Sequence, residues 1–305
     1  MIYIITVDNN EQSNRTKELK MGTIVTNLQK NGKITSIVDA LDAADLNFIA
    51  EEIPLVGMNG IDIPNHKAIF RGDTNTYLGL VGSAFSPTQN SLAFAFADTI
   101  TKKYGYSFTK AISKDNGAIS ILVAQSERPD EIRKGDIALR QIEFINGFTG
   151  KTALSVQFSL LRLICTNGMT RSESESVMKF KHTQSIQTRM ELGARIFDDS
   201  VKFHDDFVRT AKMLAEKAVD AQMVEKFING LFSDSPQNNT KKDTITDLFQ
   251  RGLGNNGESL FDLYSGVTEY SQHHHGDDGK RAEYSIFGSG RKLDDKAWDL
   301  AVSLL

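Results

Sequence analysis

The chain has 305 residues, 40% of them hydrophobic, enough to bury one large core or two modest ones without staples. A single cysteine, Cys165, excludes an intramolecular disulfide and a cysteine-cluster zinc site and points to a reducing compartment. The 35 Lys and Arg against 39 Asp and Glu leave a net charge of -4, so no global field draws the chain to nucleic acid or to an acidic membrane; a local basic patch has to do that work.

No run reaches the roughly 18 apolar residues of a membrane span, and MIYIITVDNNEQ lacks the order of a signal peptide, so a cytoplasmic protein is expected. Residues 1–33 are polar and interrupted, and read as a peripheral segment. Residues 34–172 read as the α+β core. ITSIVDALDAADLNFIAEEIPLVG runs from helical spacing into a strand, IPNHKAIFRGD and YLGLVGSAFSP read as strands, and SLAFAFADTITKKYG reads as a helix docked on the sheet. Asp115-Asn116-Gly117 between alternating runs predicts a hairpin, because its turn needs positive φ. A second hairpin turns near Asn146 to Gly150.

From Glu173 the period becomes 3.6, predicting a long helical segment over 173–232, its helix running from Gln184 to Lys217. SDSPQNNTKKD, residues 233–243, reads as a linker, and 244–305 as a helical C-terminal part packing on the core. The fold class is α+β: an antiparallel, hairpin-rich sheet with a packed helix, then a long helix and a helical C-terminal part.

Gly150-Lys151-Thr152 matches the end of a phosphate-binding loop, but Gly147 stands three residues before Gly150 instead of five, and a strand follows in place of a helix. A hairpin turn is the better reading. His273, His274 and His275 with Glu269, Asp277 and Asp278 carry metal-ligand chemistry, yet adjacent histidines at a helix end diverge, and a solvated terminal turn is expected, with no metal. Cys165, His182 and Asn167 contain the parts of a nucleophile, a base and an orienting group, although nothing around Cys165 resembles a nucleophile elbow. No cofactor is read from the sequence. Arg128, Arg133, Lys134, Arg140, Arg162, Arg171, Lys179 and Lys181, with Phe148 and Phe180, offer a basic groove along one sheet edge.

Four separated segments together resemble one family, the phage/plasmid-like proteins of domain of unknown function 932. They are Phe70-Arg-Gly-Asp-Thr74 with Leu78-Gly-Leu-Val-Gly82 and Phe85-Ser-Pro-Thr-Gln-Asn90; Arg162-Leu-Ile-Cys-Thr-Asn-Gly168; Lys181-His182-Thr183; and Leu260 to Tyr270, with Thr268-Glu-Tyr270, His273 and His274, then Arg281 and Phe287-Gly288. The resemblance runs from about Ile53 to the C-terminus. Phe85 stands where the family has tyrosine, and Phe148-Thr149 replaces its His-Asp. The resemblance implies a mobile-element context and no established activity.

The leading expectation is a nucleic-acid-binding protein of phage or mobile-element DNA metabolism, a single-strand annealing or recombination mediator acting as a homo-oligomer. In it Arg71, Arg128, Arg140, Arg162 and Lys181 meet the phosphates of single-stranded DNA. The alternative is an enzyme whose site gathers Arg71, Asp73, Gln89, Asn167, His182 and Cys165, with His182 as general base. A third reading is a protein that blocks a host defence by binding a host protein stoichiometrically. If the chain is phage-encoded, the compartment is the host cytoplasm.

Overall fold

The computed structural model describes residues 23–95, 97–164, 167–170, 177–180, 202–274, 284 and 288–305. β1 (Thr23–Asn27) leads to α1 (Ile37–Ala43), capped by Ser36, whose hydroxyl accepts from the Asp39 amide. β2 (Ala50–Val56), β3 (Asp62–Arg71) and β4 (Thr76–Gly82) form a three-stranded antiparallel sheet in that order. The short helices α2 (Asn90–Ala93) and α3 (Ala97–Tyr104) precede four long strands. These are β5 (Tyr106–Lys114), β6 (Ile119–Arg133), β7 (Asp136–Gly147) and β8 (Leu154–Arg162). β9 (Asn167–Thr170) and β10 (Val177–Phe180) share the far edge of β8, completing a seven-stranded sheet of order β1-β5-β6-β7-β8-β10 with β9 also on β8.

The remainder is helical: α4 (202–216), α5 (Ala221–Leu231), α6 (Pro236–Arg251), α7 (Leu260–His273) and α8 (Ser289–Ser303). The α+β class is therefore the observed one. No helix among the described residues is long and apolar enough to cross a membrane.

Alternation along the strands decides what each sheet face meets. Phe108, Leu122, Ile142, Phe144 and Val156 point into a core closed by α1, α2, α3 and the small sheet. Farther along the same strands Ala138 and Leu160 join Met169 under a second core made by α4 to α8, where Phe207, Tyr264 and Trp298 meet edge to face. Phe203 on α4 touches both cores. A smaller cluster, Ile112, Ile121, Val123 and Ile145, occupies the opposite face.

The β5–β6 turn follows the sequence chemistry closely. Asp115, Asn116 and Gly117 have φ of 51°, 60° and 97°. A Cβ at Gly117 would also lie 2.6 Å from the Phe48 ring, so packing demands glycine a second time. Gly150-Lys151-Thr152 lies in the β7–β8 turn with a strand after it, and this turn docks the small sheet: a Cβ at Gly79 would stand 2.5 Å from the Phe148 carbonyl oxygen.

Two expected boundaries differ. Residues 23–27, inside the segment read as peripheral, form the edge strand of the main sheet, pairing Thr23 with Lys114 through Asn27 with Lys110. The stretch read as a linker is mostly α6, which starts with Pro236 behind Ser235, a position where proline's missing amide costs nothing. Its first turns are polar because only the later residues Ile245, Leu248 and Phe249 are buried, and Lys242 ties it to Asn229 and Asp234. The part of the expected long helix before residue 202 lies outside the described residues.

Candidate functional site

Three of the arginines expected to meet phosphate are held by carboxylates. Arg71, at the end of β3, is 4% exposed. Its guanidinium grips Asp73 with two nitrogens, at 2.7 and 2.9 Å, donates to Asp45 at 2.7 Å, and lies over the Phe48 ring at 4.5 Å. The bond from Arg71 holds the Asp73 carboxyl below its usual range. Nη1 reaches the Asn116 carbonyl at 3.5 Å, so the station also fastens the β5–β6 turn.

The neighbouring Gln89-Asn90 pair acts on backbone in the same way. Gln89 accepts from the Ala50 amide and donates to its carbonyl, continuing β2 as another strand would. Asn90 donates to the Leu46 carbonyl and to Ser120, and accepts from Asn146. Buried amides with partners of this kind fix loops that otherwise bury unsatisfied backbone.

Arg140 on β7 makes a bidentate pair with Asp130, at 2.8 and 3.0 Å, and reaches Asp205 on α4 at 2.8 Å. These contacts raise its pKa further, chiefly through Asp130. Beside it His204 is 1% exposed, its ring edge-on to Phe158 with 5.4 Å between centroids, and its Nε2 has no partner. Burial first, and the Arg140 charge second, push the imidazole down to about 4, so it is neutral. A base whose folded pKa lies below its unfolded value gives stability that is complete above about 6.5 and is lost as pH falls toward 4.

That shift corresponds to roughly 3 kcal/mol. Urea midpoints at pH 7 and pH 4.5 are expected to separate widely in the wild type and less in His204→Gln, after the cost of the substitution itself is subtracted. Asp294, buried on α8 against the Ser271 hydroxyl at 2.9 Å, has its carboxyl raised by burial. Its contribution runs the opposite way, present at low pH and lost as pH rises through its folded value. The comparison between variants therefore isolates His204.

Arg162, at the end of β8, is 0% exposed. It binds both oxygens of Asp136, with contacts of 2.8, 3.0 and 2.5 Å, and donates to Asn255 at 2.9 Å and to the Gly254 carbonyl at 2.7 Å. Its guanidinium lies 5.1 Å from the Phe261 ring centre. Arg133 runs beside it to Asp262 at 2.7 Å and to the same Gly254 carbonyl. Asp262 also closes a capping box with Ser259, so the network fixes the start of α7 against the sheet.

Asn167 on β9 pairs with Arg162, while Arg71 and Asp73 sit by the opposite end of the sheet, next to Asn116. Arg162 pairs with Ala138, nine residues along β7 from Gly147, which separates the two ends by roughly 30 Å at the strand rise. Asp73 and Asn167 therefore do not share a cleft. Cys165, Lys181 and His182 lie outside the described residues, as does His275. Arg128 is exposed on β6. Among the described residues no three His, Cys, Asp or Glu side chains are grouped to hold a metal ion.

Sequence reading missed most partners of these arginines: Asp45, Asp130, Asp136, Asp205, Asp262 and Asn255. Asp205 falls on the helix expected from the apolar period, and nothing in that period names Arg140 as its partner.

Residues 77–298 match the family model described as Domain of unknown function (DUF932). The chain belongs to that family. The DUF932 match begins within β4, so the Arg140 and Arg162 stations fall inside it and Arg71 and Asp73 just before it. The expected start at Ile53 was earlier than the matched region. No curated protein and no solved structure matches the chain.

Proposed function

We propose that this DUF932 chain is a nucleic-acid-binding protein of phage or mobile-element DNA metabolism, acting on single-stranded DNA as an oligomer in annealing or recombination. The observation that supports it is a basic end on the main sheet. Lys179 is exposed on β10, an edge strand among the described residues, opposite Ser155; Phe180 pairs with Leu154, three residues after exposed Lys151. Lys181 follows directly in sequence. An exposed lysine on an edge strand beside a lysine-bearing turn suits a surface that tracks a phosphate backbone.

In this reading Arg71, Arg140 and Arg162 build the scaffold, and the phosphate contacts pass to Lys151, Lys179 and Lys181. A guanidinium already paired with one or two carboxylates gains little from a phosphate that it must leave them to reach.

Fluorescence anisotropy with a labelled single-stranded oligonucleotide and its duplex, titrated with salt, tests this. Wild-type affinity is expected to fall with salt, and Lys151→Glu with Lys179→Glu to flatten the log–log slope by about 1.4, at about 0.7 per phosphate contact on a single strand. No binding at low salt overturns the reading.

A further inference from the structure

No further inference is drawn: the strongest candidate, the groove of about 430 Å³ between α5 and α6 with Val224, Ile228 and Phe249 along it and Asp220 and Glu225 beside them, is an unpartnered apolar face, and nothing in the structure shows what covers it.

Discussion

Replacing Arg162 by alanine is expected to lower the unfolding free energy by about 3–5 kcal/mol, because removing one member of a buried ion pair strands the other. Asp136 has a side chain only 4% exposed and would keep just the longer contact to Arg133, 3.3 Å. Asn255 and the Gly254 carbonyl would lose a donor each, and the loop before α7 would come away from β8. Lysine should not rescue the variant, since one ammonium cannot serve a carboxylate, an amide and a carbonyl in the planar fork that guanidinium provides.

Removing both charges together, Arg162→Met with Asp136→Leu, should recover much of the loss. Arg140→Ala sets the scale from the other side. Its partner Asp205 is 60% exposed at the side chain, so water takes over part of the contact and a loss nearer 1–2 kcal/mol follows. Urea unfolding of the three variants checks the order; an Arg162→Ala loss no larger than that of Arg140→Ala would mean that the network is not a stabilising lock.

Trp298→Ala should be comparably severe, about 3–5 kcal/mol, for a different reason. The indole, 2% exposed on α8, is edge-on to Phe207 of α4 at 4.4 Å and to Tyr264 of α7 at 5.1 Å. Deleting it opens a void where three helices meet, and helices fixed by their own backbone bonds close on a void only in part. Trp298→Phe keeps most of the volume and is expected to cost less than half as much. Thermal unfolding followed by tryptophan-independent far-ultraviolet dichroism measures both, since this is the chain's one tryptophan.

Much of this fold was legible residue by residue. The β5–β6 hairpin was readable because Asp115-Asn116-Gly117 solves a local problem, positive φ, with the side chains that tolerate it. α7 and α8 were readable from their periodic apolar residues. The linker expectation failed at α6 for an equally local reason: a helix whose first turns face water carries the composition of a loop, and only the later Ile245, Leu248 and Phe249 reveal its buried face.

The site was far less legible. Arg71, Arg140 and Arg162 stand out in the sequence as cations next to hairpins, and nothing within a few residues of Arg162 announces that Asp136, 26 positions away, and Asn255, 93 away, will enclose it. Local chemistry determined the hairpins, the helix starts, the rejection of a phosphate loop at Gly150-Lys151-Thr152 and the family to which the chain belongs. Only the tertiary structure decided which charges remain on the surface, because strand register and helix docking bring carboxylates from distant segments onto these arginines. A buried cation is tolerated only where such partners arrive, and their arrival depends on the whole fold.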